Sequence, residues 1–323
     1  MNGQPTGNVQ SKNPSRRQQR QLRQQKARMT LLSLCIVIIL LLVTLAVFLF
    51  CALADNLNQD DAKNDDQNGI GQSDPSIRYT QIAKNNSDLH VGDLLLINND
   101  HYYNPDSAPN LVVIQGTQPI PDAYKVRDTS WRLNSTALNA FNSMVSQYYT
   151  TSEGDTDLEI ASAYRTAKDQ ENKSAPVGHS DHHSGYCLAI KNRSNIELRS
   201  DHWIFENGHR YGFIQRYPDA KADKTYVSDY AYCIRYVGIP HATYIKQNNL
   251  CLEEYVSLLK SSYTGGNHLQ ITDPFGNRYE VYYVSASAEA TTNINVPNNY
   301  AFSISGDNVS GFIVTVDLSQ RLA

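Results

Sequence analysis

The sequence predicts an α+β domain carried behind an N-terminal membrane-spanning helix. Three observations lead there. A charge-free apolar run at 30–54 follows a basic N-terminus. Downstream, helical and alternating apolar patterns mix without a regular β-α-β repeat. After about residue 263 only strand-like patterns remain. The 323 residues suffice for one large domain or two smaller ones. An apolar content of 41% excludes a wholly disordered chain, and 17 Gly with 12 Pro exclude a collagen-like one. The net charge of −4 supplies no general attraction for nucleic acid, which is not expected as a partner.

That −4 is unevenly spread. Residues 1–28 carry seven basic side chains and no acidic one, leaving 21 basic against 32 acidic in the remainder. The 25 uncharged residues that follow would rise about 37 Å as a helix, enough to cross a bilayer with some tilt. The basic cluster holds the N-terminus in the cytoplasm and places everything after Ala54 outside. The expected organisation is a basic cytoplasmic segment at 1–28, a transmembrane anchor at 29–54 and a disordered polar stalk at 55–88. A main domain at 89–262 and a β-rich C-terminal extension at 263–323 complete it. A cleaved signal peptide is the rival to the anchor, since Ala52-Leu53-Ala54 offers a small-x-small site; the run exceeds the ~7–15 residues of a signal core. Among the three cysteines beyond the span, Cys187, Cys233 and Cys251, at most one intrachain bridge can form.

Within the domain, apolar runs at 94–97 and 111–114 predict strands. Leu138, Phe141, Met144, Val145 and Tyr148 recur at helical spacing behind a cap at Asn134 or Ser135. Alternation predicts strands at 158–162, 186–190 and 232–237, and a short polar helix follows at 167–172. A helix at 201–211 is capped by Ser200 or Asp201, with Trp203 facing inward. Leu252, Tyr255, Val256 and Leu259 form the stripe of a late helix, with Cys251 as a buried thiol at its start. Strands follow at 269–272, 279–284, 300–304 and 312–316, with a turn at 273–277.

Chemistry concentrates in one segment. Five of the nine histidines lie between 179 and 209, and His179, His182 and His183 crowd into a Gly/Ser-rich loop. Clustered imidazoles suggest a metal site, with surface histidines of no ligand role as the plain alternative.

Four blocks carry a resemblance. They are Ala-Ser-Ala-Tyr-Arg-Thr at 161–166 with Gln170, Ser-Asp-His-His-Ser-Gly-Tyr-Cys-Leu-Ala at 180–189, the stretch 203–218, and Ile-Arg-Tyr-Val-Gly at 234–238. Together, over roughly 90–260, the chain resembles the zinc D-alanyl-D-alanine carboxypeptidases of the VanY type. The resemblance implies a hedgehog/DD-peptidase-type α+β core, and trimming of D-alanine from peptidoglycan stem peptides outside a bacterial cell membrane. It implies that Arg165 holds the peptide's terminal carboxylate, with Gln170 and Ser180 lining the cleft. Trp203, Tyr211, Phe213, Arg235 and Tyr236 belong to the framework.

The family's zinc ligands and base follow Ser-x-His-x-x-Gly-x-x-x-Asp and Glu-Pro-Trp-His. Carried over, the first ligand is His182, the aspartate ligand falls on Ala189, the base on Tyr230 and the third ligand on Cys233. A methyl group cannot ligate zinc, and a phenol, ordinarily titrating near ~10, is a poor base at neutral pH. The expectation is therefore a membrane-anchored, carboxypeptidase-like protein that is catalytically inactive, with zinc absent or weakly held. It would bind stem peptides or an envelope protein. The alternatives are an active metallo-carboxypeptidase with a rearranged zinc site and a purely structural envelope protein. Cys187 lies two residues before Ala189, on the same strand face, which allows a His182–Cys187–Cys233 metal site, a Cys187–Cys233 disulfide or two buried thiols.

Overall fold

The helix at Ser135–Thr151 shows how the sequence builds the core. Its apolar residues fall at three- and four-residue steps, so Leu138, Phe141, Met144, Val145 and Tyr148 share one buried face. Asn134 caps it by accepting from the Thr136 N–H at 2.9 Å, a contact worth about 1 kcal/mol. Phe141 is fully buried against Tyr124 and Phe213, and its truncation to Ala should cost about 3–5 kcal/mol. This computed structural model describes residues 70–322 apart from Pro121. The expected basic segment and membrane helix lie outside the described residues. Among the described residues no helix is long and apolar enough to cross a membrane.

The helix packs on a five-stranded sheet whose order is Lys125–Val126, Glu159–Ser162, Cys187–Lys191, Cys233–Tyr236, Phe213–Gln215. The first pair is parallel and the rest antiparallel. Strand alternation splits the central strands cleanly. Leu188, Ile190 and Ile234 enter the core under the helix, whereas Cys187, Ala189 and Cys233 cluster on the opposite face. That opposite face is the floor of the candidate site.

A second five-stranded antiparallel sheet runs Ile70–Gln72, Asn267–Thr272, Arg278–Ser285, Gly311–Arg321, Tyr300–Gly306. The C-terminal strands form as expected, but they are no appendage. Leu269, Ile271, Val281 and Ile313 share one core with Leu94, Val237, Tyr255 and Leu259, and the described residues belong to one compact unit.

Several expectations are corrected. The stalk does not extend to residue 88, because Ile70–Gln72 pairs with Asn267–Thr272 and Tyr79–Asn85 pairs with Thr291–Pro297. Both segments are held by ladder hydrogen bonds, and Ile82 also packs against the core that Ile294 and Val296 enter. The run at 94–97 is buried but forms no strand, since side chains take its backbone groups. Arg235 donates to the Asp93 and Leu95 carbonyls, Arg216 to that of Ile97 and Asn308 to that of Leu96. The helix at 201–211 breaks into Trp203–Asn207 and a 3₁₀ turn at Gly208–Tyr211, capped by His202 rather than by Ser200 or Asp201. Trp203 packs against the core as expected, half-buried beside the buried Ile204 and Phe205. A helix at Ile239–Gln247 and the strand Thr291–Pro297 had no counterpart in the sequence reading.

Candidate active site

His182 sits in a 3₁₀ turn, Asp181–Ser184, that leads into the strand Cys187–Lys191. The turn closes on Gly185 at φ +76°, where a Cβ would meet Leu111 at 2.8 Å, so only glycine fits. In the sheet Ala189 lies directly opposite Cys233, and Cys187 lies opposite Arg235. This register gathers His182, Cys187 and Cys233, all buried, with their donor atoms within 4.8 Å of one another. Ala189 joins the same cluster but contributes only a methyl group.

The electrostatics suit a neutral donor set. Burial, then the nearby Arg165 guanidinium, holds His182 well below the usual imidazole range. Its Nδ1 is buried and, among the described residues, has no hydrogen-bond partner. The Cys187 thiol is pushed well above its ordinary value, first by a hydrogen bond with Cys233 and then by burial. The two thiols are unbridged, as is Cys251, which lies apart at the start of the helix Leu252–Ser262.

Arg165 lines a cavity of about 220 Å³ together with His182, Cys233 and Tyr230. Its Nε donates to Ser162 Oγ at 3.0 Å and its Nη1 to Gln170 Oε1 at 3.1 Å. Gln170, almost wholly buried, is fixed in turn by donating to the Ala175 carbonyl at 2.7 Å. Among the described residues Arg165 carries no ion pair, so its charge is left for a ligand. His183 supports it from behind. The Gly178 N–H donates to His183 Nε2 at 3.1 Å, which leaves Nδ1 to donate to the Arg165 carbonyl at 2.7 Å. Ser180 lines the cavity and its hydroxyl caps nothing. Tyr230 also reaches the cavity, with its hydroxyl 3.0 Å from Ser174 Oγ.

Among the described residues no aspartate or glutamate lines this cavity. The nearest acid in sequence, Asp181, is spent elsewhere. It is fully buried and paired with Arg216 at 2.7 Å and with Arg235, while Arg216 grips Glu253 through both oxygens at 2.8 and 3.0 Å. This four-charge network ties the turn bearing His182 to the sheet and to the late helix. The sequence reading missed Asp181 as its hub. The available signal was two arginines, at 216 and 235, inside apolar blocks with no acid of their own.

The expected site residues therefore assemble in one place: Arg165, Gln170, Ser180, His182, Tyr230 and Cys233 on the cavity, with Cys187 and Ala189 beside it. The framework residue Phe213 is buried in the core, and Trp203, Tyr211 and Tyr236 pack against it.

Comparison with known proteins gives the same placement. The family model VanY, D-alanyl-D-alanine carboxypeptidase, matches residues 130–239. A D-alanyl-D-alanine carboxypeptidase of Enterococcus faecium is 31% identical over 239 residues, covering 71% of this chain and 76% of the relative. Another, from Enterococcus faecalis, is 42% identical over 89 residues, or 27% of this chain and 33% of that protein. Among solved structures, the vancomycin-resistance D,D-dipeptidase VanXYg, in complex with a D-Ala-D-Ala phosphinate analogue, superposes with a TM-score of 0.64 at 23% identity. It covers 74% of this chain and 99% of its own, a likeness of fold. The chain belongs to the VanY family of D-alanyl-D-alanine carboxypeptidases.

Proposed function

We propose that this chain is a membrane-anchored, extracytoplasmic member of the family that binds the D-Ala-terminated stem peptides of peptidoglycan without hydrolysing them. One observation carries the reading: among the described residues the cleft presents an arginine without an ion pair, held by Ser162 and Gln170, yet no carboxylate lines it. A fixed guanidinium matches a terminal carboxylate in a bidentate way. Hydrolysis, by contrast, needs a group to take a proton from water, and loss of a general base alone costs about 10²–10⁴ in rate. Tyr230 stands where the family's base would be, and Ala189 where a metal-binding carboxylate would be. The open cleft favours binding over a purely structural envelope role. The basic segment and apolar run at the N-terminus support the anchor and the placement on the outer face of a bacterial cell membrane. Calorimetric titration with a D-Ala-ended pentapeptide tests the binding: saturable uptake is expected, and its absence would remove the reading.

A second reading is favoured by the convergence of His182, Cys187 and Cys233. In it the chain is a working metallo-carboxypeptidase with altered ligands. Its test is D-alanine release from the pentapeptide with added zinc. Release no greater than from His182→Ala excludes it.

A further inference from the structure

We infer that His182, Cys187 and Cys233 form a rebuilt metal site of one imidazole and two thiolates. In it Cys187 supplies the donor that Ala189 cannot, and the site takes a thiophilic divalent cation such as Zn²⁺. The inference goes beyond peptide binding and stands or falls separately from it.

The geometry supports the relocation. A strand repeats its face every two residues, so a donor moved from 189 to 187 stays on the same face of the sheet. Cys233 lies across the ladder from 189, and His182 hangs over both from the turn before the strand. Donor atoms on one tetrahedral zinc sit at ~2.0–2.3 Å from the metal, and here three lie within 4.8 Å of one another. Small side-chain adjustments bring them onto a common ion.

The unpartnered His182 Nδ1 decides between occupants. A buried polar atom left without a partner costs about 1–3 kcal/mol. A Cys187–Cys233 disulfide would leave that imidazole unsatisfied. Two neutral thiols leave it equally unpaired, since neither sulfur is hydrogen-bonded to it. A cation shared by all three groups satisfies the imidazole and neutralises the thiolates that the apolar walls, with Ala161 and Ala189, would otherwise disfavour. The donor set also differs in kind from a carboxylate-containing one, because thiolate sulfur selects for softer ions. His182 and Cys233 line the cleft, so the ion would sit in the wall facing Arg165.

The test uses the full-length chain, reduced and handled anaerobically, loaded with Zn²⁺ or Co²⁺ and passed through a desalting column. Expected are one equivalent of zinc per chain and, for Co²⁺, an intense near-ultraviolet sulfur-to-cobalt charge-transfer band. Cys187→Ala should lose both, while Cys251→Ala, which removes a buried thiol outside the cluster, should keep both. Circular dichroism and the urea midpoint of metal-free Cys187→Ala establish that it folds. The double variant Cys187→Ala/Ala189→Asp should regain the metal with a weaker charge-transfer band, as one sulfur is replaced by oxygen. Retention of a full equivalent by folded Cys187→Ala, or no metal in the reduced parent chain, overturns the proposal. A Cys187–Cys233 bridge found by peptide mapping in the zinc-treated protein does the same. None of these readouts depends on peptide binding.

Discussion

The two ends of one cleft have been treated differently. At the arginine end every support is in place: Ser162 and Gln170 hold the Arg165 guanidinium, Ala175 holds Gln170, and His183 holds the Arg165 backbone. At the metal position the places that would bind metal and activate water carry Ala189, Tyr230 and Cys233, and among the described residues no carboxylate lines the cavity. Beneath both, the Asp181–Arg216–Arg235–Glu253 network keeps the turn in its place. Recognition and chemistry are therefore separable here, because different backbone segments supply them. Arg165 comes from the end of the strand Glu159–Ser162, whereas 189 and 233 face each other across a ladder.

The comparison can be broken at the chemical end first. If only the three altered positions stand between this chain and hydrolysis, the triple variant Ala189→Asp/Tyr230→Glu/Cys233→His should gain D-alanine release. The base alone accounts for about 10²–10⁴ in rate. No gain in a folded, zinc-loaded variant would show that the cleft differs in more than these residues. Next in size is the shared support. Asp181→Ala leaves the buried Arg235 guanidinium without its acid and Arg216 with Glu253 alone, and breaking such a pair costs about 3–5 kcal/mol, read as a fall in the urea midpoint. A change within error would mean that the network is solvated. Smaller still is the arginine end: Arg165→Ala should weaken pentapeptide binding about 10- to 100-fold, as expected for charge-assisted hydrogen bonds of about 1.5–3 kcal/mol, with the melting temperature little changed. Unaltered affinity would place the peptide elsewhere.

The smallest effect concerns the seam between the two sheets. Burial holds His241 down to about 3, where it bridges Tyr255 and Thr315. The unfolded imidazole titrates near ~6.5, so the unfolded state binds more protons below that pH and stability is lost as pH falls through it. Asp93, raised to about 6 by burial despite its own backbone and Arg235, has the opposite sign. Its folded form binds more protons between ~4 and 6, so its contribution is present in acid and lost as pH rises. Asp93→Asn should therefore steepen the fall in melting temperature from pH 6.5 to 4; a shallower fall would reverse the assignment.

Elements with a plain apolar rhythm were legible in the sequence. The helix Ser135–Thr151 and its Asn134 cap, the three central strands of the first sheet and the helix Leu252–Ser262 all follow from spacing, whereas its edge strands Lys125–Val126 and Phe213–Gln215 are too short to show a pattern. Where long-range partners replace rhythm, the pattern is silent. The helix Ile239–Gln247 buries Pro240 through Ile245 in succession and so shows no stripe. The strand Tyr79–Asn85 is mostly polar and depends on its ladder with Thr291–Pro297. The run at 94–97 has a strand's composition, but arginine side chains 119 and 140 residues away take the carbonyls of Ile97 and Leu95. In the site, the cavity residues could be read from the motif blocks, whereas the engagement of Asp181 and the unpartnered His182 nitrogen needed coordinates.

In the proposed function one half of the cleft binds while the other no longer cuts. Native mass spectrometry of the full-length chain, incubated with zinc and a D-Ala-terminated stem pentapeptide, reads both halves in one spectrum. The account predicts a complex carrying the intact pentapeptide, with no tetrapeptide accumulating over hours. Tetrapeptide and free D-alanine would contradict the loss of chemistry, and a chain without bound peptide at saturating concentration would contradict the retained recognition.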